Sequence, residues 1–137
     1  SNALIWPTVT YGYYPAFSNY AGSASLSEAT SKAVITDLAA AIAGFGAKPV
    51  LIVNTGISTI RPIDELMEHE LAATPAVHIK VHSGPRYRDA VKTLSEQTGG
   101  THADEMETSR MLALAPDLVS MDKAQASPLG DPTRATL

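Results

Sequence analysis

The stretch between residues 49 and 82 limits the fold more than any other part of the chain. Pro49-Val50-Leu51-Ile52-Val53 is an unbroken apolar run, the pattern of a strand covered on both faces in a parallel sheet. Asn54-Thr55-Gly56 interrupts it, and residues 61–73 then place Ile63, Leu66, Met67 and Leu71 at helical spacing. Residues 76–82 alternate, with Val77, Ile79 and Val81 on one side. Strand, helix and strand in that order form a crossover unit, the connection that parallel strands require.

The flanks continue the alternation. Residues 4–10, beginning Leu4-Ile5-Trp6, read as a further strand, and residues 11–22 as a loop carrying Tyr11, Tyr13, Tyr14, Phe17 and Tyr20. Ser25 with Glu28 is a capping-box signal for a helix. Val34, Ile35, Leu38, Ile42 and Phe45 recur along that helix, and Gly44 and Gly46 end it. A polar helix is expected over 86–97 and a last one through Leu114. The expected class is α/β, a three-layer α/β/α arrangement with a mainly parallel sheet. Ser1-Asn2-Ala3 reads as a tag scar, residues 4–122 as the folded domain and residues 123–137 as a loop-like tail.

Composition removes several functions. The 137 residues are enough for one domain with a real core. A formal charge of −4 with no Lys/Arg cluster argues against a nucleic-acid partner. The absence of cysteine excludes disulfides and thiolate metal sites and leaves the compartment open. No apolar run approaches the roughly 18 residues of a membrane span.

Ligands of parallel α/β sheets bind beyond the C-terminal strand ends, so residues 11–25, 54–59 and 83–87 are candidate binding segments. Asn54, Thr55, Gly56 and Ser58 are small or hydroxyl-bearing groups able to meet a substrate oxygen. The competing reading is a plain connection with Ser58 or Thr59 capping the next helix. The aromatics around Tyr20 could line a pocket for a small cyclic ligand, form a subunit contact or pack on the sheet edge. His78 and His82 lie about 13 Å apart along a strand and cannot share one ion. Ser58 as a serine nucleophile lacks the Gly-x-Ser-x-Gly elbow.

The densest chemistry is Gly100-Thr101-His102-Ala103-Asp104-Glu105-Met106-Glu107-Thr108-Ser109, at a loop-to-helix corner. The unpaired N–H groups of a helix start favour negative charge there. His102 and Glu105 supply an imidazole and a carboxylate for proton transfer or metal ligation. Asp104 and Glu107 also satisfy a capping box, which accounts for two of the acids without any chemistry.

This corner resembles the His-Ala-Gly-Glu-x-Glu-Thr-Ser motif of the creatininase (creatinine amidohydrolase) family, with Asp104 where that family has glycine. Pro7-Thr8-Val9-Thr10-Tyr11-Gly12 is similar to the family's strand ending in Tyr-Gly. Tyr20-Ala21-Gly22-Ser23-Ala24-Ser25-Leu26 is similar to its Phe-Pro-Gly-Thr-x-Ser-Leu. The run into Asn54 resembles the strand leading to Asn-Gly-His-Gly-Gly-Asn, and Gly130-Asp131-Pro132-Thr133 with Ala135-Thr136 a late Gly-Asp-Pro-x-x-Ala-Thr motif.

The resemblance implies a divalent metal (zinc, manganese or iron) that activates water against the carbonyl of a small amide. Glu105 would bind that metal or orient its water, and His102 would act as general acid/base or bind the substrate carbonyl. It also implies a homo-oligomer, a hexamer in the family. The family's early Glu-x-His and following Asp belong upstream of Leu4, and the histidine of Asn-Gly-His falls at Gly56. The matched positions thus offer His102 and Glu105, fewer than the three protein ligands of a catalytic zinc. Two expectations follow: an internal portion of a longer hydrolase, or a divergent binding or assembly module that kept the scaffold.

Overall fold

A computed structural model describes residues 3–97 and 102–125. The chain divides into two compact units, one ending at His82 and the other beginning at Ser83. The architecture is α/β, with helices around a small parallel sheet.

The first unit contains α1 (Glu28–Gly44), β1 (Val50–Asn54), α2 (Ile60–Glu68) and β2 (Ala76–Lys80). The strands pair in parallel with Val50 opposite Ala76, Ile52 opposite His78 and Asn54 opposite Lys80. The crossover expected from residues 49–82 is therefore present. α1 packs on α2 and β1, and α2 packs on β2. Ala39, Val50, Leu66 and Leu71 form the buried centre, with Ile35, Ile42, Ile52, Met67 and Ala76 against it. Leu66 and Leu71 are fully buried, and each such side chain stabilises by about 1.5–3 kcal/mol.

The local signals explain the element ends. Ser27, not Ser25, caps α1, its hydroxyl accepting the Thr30 N–H at 3.1 Å. Ser25 instead accepts the Tyr14 N–H at 2.9 Å and so tethers the aromatic loop. Glu28 bonds Arg61 at 2.7 Å, and Lys32 bonds Glu65, joining α1 to α2. Gly46, at φ +87°, turns the chain out of α1.

Two expectations change. Residues 4–10 form no strand; Leu4 and Ile5 are exposed, and among the described residues no neighbouring strand supplies a hydrogen-bond ladder. An apolar, strand-like segment forms a strand only where a partner exists. The apolar run of β1 is covered on one face only. Leu51 (54 % exposed), Val53 (60 %), Val77 (45 %) and Ile79 (38 %) point away from α1 and α2.

The second unit holds α3 (Pro85–Leu94) and α4 (Glu105–Leu114). Gly84, at φ +101°, precedes Pro85, which starts α3 where a helix has no need of its N–H. Arg110 on α4 bonds the Tyr87 hydroxyl of α3 at 2.6 Å and lies 5.4 Å from that ring's centre. Short 3-10 turns follow at Pro116–Leu118 and Met121–Lys123. The Gly130 to Thr136 motif, Gly100 and Thr101 lie outside the described residues.

Candidate functional site

β1 delivers Asn54 to the C-terminal edge of the sheet, where the chain must turn into α2. Asn54 is buried, 8 % exposed. Its Oδ1 accepts the Gly56 N–H at 3.0 Å and the Thr59 hydroxyl at 2.7 Å. An asparagine that bonds the backbone two residues on builds its own turn. Thr59 is the residue before α2, yet its hydroxyl points back to Asn54 and to the Gly56 carbonyl at 3.0 Å. The N-cap position is thus filled by Thr59 without a side-chain cap.

Gly56 is the tightest point of this turn. A Cβ there would stand 2.8 Å from Thr59 Oγ1 and 3.3 Å from Tyr14 Cε1. A Cβ on Gly12 would meet the same tyrosine ring at 3.0 Å. Tyr14 thus lies close to two glycines from separate segments. Of the loop aromatics named from the sequence, Tyr14 is the one that meets Gly56. Tyr20 is half exposed, with its ring 6.0 Å from that of Phe17. Tyr14, Phe17, Ser23, Ala24 and Ser25 line a shallow cavity of about 150 Å³, smaller than the roughly 300–1,000 Å³ of drug-sized pockets. Thr55 is exposed and Ser58 half-buried.

Behind this turn lies a pair that the sequence reading did not find. Asp64 on α2 meets His78 Nδ1 at 2.9 Å and Lys80 Nζ at 2.6 Å. Lys80, and then His78, hold the Asp64 carboxyl below the ordinary value of 3.8. The His78 side chain is only 4 % exposed. A helical aspartate and a strand histidine fourteen positions apart leave no local signal; only the crossover brings them together.

In the second unit, Asp104 caps α4, its Oδ1 accepting the Glu107 N–H at 3.0 Å, and Glu107 accepts the Ala103 N–H at 2.6 Å. The expected reciprocal cap is therefore present, displaced by one residue on the return bond. Glu105 is held more completely. Its oxygens accept the Glu96 N–H at 2.9 and 3.0 Å, the Gln97 N–H at 2.6 Å and the Ser95 hydroxyl at 3.1 Å. Its own N–H donates to Gln97 Oε1 at 2.9 Å. The Glu96 and Gln97 amides keep its carboxyl below the ordinary value of 4.5, because they bond the ionised form. His102 is exposed three residues before it. A shallow cavity beside Glu107, Thr108, Met111 and Val119 is lined by neither His102 nor Glu105.

These donors do not fit a catalytic divalent-metal centre. The Glu105 oxygens are engaged by Ser95, Glu96 and Gln97. Position 56 has no room for a ligand side chain in this turn. Among the described residues, no three His, Asp or Glu side chains gather as a cation site.

A family model described as creatinine amidohydrolase matches residues 1–136. The chain belongs to the creatininase family. No curated protein and no solved structure gives a significant match.

Proposed function

We propose that the chain serves hydrolysis of a small amide C–N bond, cyclic or open-chain, as an amidohydrolase. The observation that carries this reading is the family match over residues 1–136. The chemistry assigned to the chain's own groups is modest. His102 takes a proton from an attacking water and returns it to the leaving nitrogen, the work of a general base and then acid. Glu105 keeps its charge and fixes the start of α4. Thr55, Ser58 and the backbone of residues 54–58 serve as substrate contacts, and the Tyr14–Phe17 cavity as a site for a small ring. The zinc, manganese or iron implied by the family is assigned no step, since the described donors do not fit it.

The test is release of ammonia or amine from a panel of small cyclic and linear amides. His102→Ala is expected to lower turnover by about 10²–10⁴-fold. Because His102 is exposed, stability should change by less than about 0.5 kcal/mol. Turnover equal to that of the parent removes His102 from the chemistry.

The second reading is a binding or assembly module on the same scaffold. The engagement of Glu105 and the crowding at Gly56 favour it. It is recognised by saturable binding of an amide without hydrolysis. In either case we propose a homo-oligomer, the hexamer of the family, in which the apolar Leu51, Val53, Val77 and Ile79 face finds cover. Partners are small molecules; no described helix is long and apolar enough to cross a membrane.

A further inference from the structure

Among the described residues, two buried polar atoms of the first unit have no hydrogen-bond partner, and they are complementary. The first is Asn54 Nδ2. Because Oδ1 accepts from both Gly56 and Thr59, the amide has one consistent orientation, and Nδ2–H is a donor turned away from the turn. The second is His78 Nε2. Nδ1 faces the Asp64 carboxylate, an arrangement in which Nδ1–H donates to the carboxylate and the Nε2 lone pair is turned to the interior.

Both atoms belong to the covered face of the sheet. Val50, Ile52 and Asn54 alternate with the exposed Leu51 and Val53, and Ala76, His78 and Lys80 with their more exposed neighbours. The register sets Ile52 against His78 and Asn54 against Lys80. Asn54 and His78 are therefore diagonal neighbours on adjacent strands, with Cα atoms roughly 8 Å apart from strand spacing and rise. Internal waters characteristically join buried groups that lack protein partners.

We propose that His78, oriented by Asp64, is a positioning residue for the 54–59 turn. One internal water accepts the Nδ2–H of Asn54 and donates to His78 Nε2. The chain of bonds runs from Lys80 through Asp64, His78 and the water to Asn54, and ends on Gly56 and Thr59. An interior imidazole thereby holds the Asn54 amide, which in turn holds the strand-end turn. The value of that turn to substrate rests on the hydrolysis reading above; the coupling itself does not.

The experiment compares amide exchange at Gly56, whose N–H is bonded to Asn54, in the full chain and in His78→Leu and His78→Gln. Leucine fills the space without an acceptor, whereas the glutamine carboxamide returns an acceptor oxygen. Exchange at Gly56 is expected to rise about tenfold or more in His78→Leu and to recover most of the difference in His78→Gln. Unchanged exchange in His78→Leu overturns the proposal. So does a glutamine variant no better than leucine, which reduces His78 to packing. If His78→Leu does not fold, ¹⁵N spectra of the unmodified protein decide. A proton on Nδ1 and a long-lived water in contact with the Asn54 amide protons are expected; a proton on Nε2, or no such water, overturns the proposal. A positive exchange result with no amide hydrolysed leaves the coupling standing and removes the hydrolysis reading.

Discussion

The turn after β1 and the corner before α4 solve the same problem with different remainders. Each begins or ends an element, so each holds backbone N–H groups in need of acceptors. In the turn, Asn54 Oδ1 accepts from Gly56 and Thr59. At the corner, the Glu105 carboxylate accepts from Glu96, Gln97 and Ser95. In the second unit, the group assigned to proton transfer is the exposed His102. In the first unit a donor remains in the interior, Asn54 Nδ2, beside a histidine whose own acceptor is unmatched. Polar residues at element ends are claimed first by the backbone.

The sharpest way to break this comparison is Gly56→His, which installs the side chain of the family motif. Its Cβ alone would lie 2.8 Å from Thr59 Oγ1, so the turn must open. We expect a loss of about 3 kcal/mol by denaturant unfolding, the upper range for overpacking. An unchanged midpoint would show that the turn yields easily and that the crowding is not a constraint.

Asn54→Ala should cost less, about 1–3 kcal/mol, because it strands the half-buried Gly56 N–H and leaves the Thr59 hydroxyl only the Gly56 carbonyl. The same measurement checks it. Stability equal to the parent would mean that water replaces Oδ1 at no cost, and that Asn54 does not build the turn.

The smallest effect concerns pH. Asp64 is held below 3.8 by Lys80 and His78. A carboxyl lowered on folding stabilises above its unfolded value, and that contribution disappears as pH falls through the lower folded value. The Asp64 contacts are therefore intact at neutral pH and are lost only below about 3.8. The effect on stability is slight because the Asp64 side chain is 40 % exposed. A carboxyl ¹³C titration should place the midpoint below 3.8 for Asp64, and below 4.5 for Glu105. A midpoint at or above those values contradicts the bonding described here.

Much of this arrangement is legible in the sequence. The apolar run at 50–53, the helical spacing of Ile63, Leu66 and Met67 and the alternation at 76–81 suffice for the parallel crossover. The Asp104 and Glu107 cap is legible because both partners lie within one turn. The Ser25 and Glu28 spacing reads as a capping box, but a hydroxyl caps only from the position just before the helix. The helix start at Glu28 selects Ser27. What fails is whatever depends on a distant partner. Residues 4–10 are apolar and strand-like but have no strand to pair with among the described residues, and the Asp64–His78 pair exists only through the crossover. From the sequence Glu105 reads as a metal ligand or a proton-transfer group; its role as an anchor appears only when residues 95–97 are placed beside it.

Glu105 is committed to the α3–α4 connection through Ser95, Glu96 and Gln97. The most direct test is titration of the full chain with zinc and with manganese, following bound metal together with the amide signals of Glu96 and Gln97. The account predicts that those amides stay fixed and that no ion binds in one-to-one proportion. One ion per chain, with both amides released from the carboxylate, would contradict it and restore Glu105 as a metal ligand.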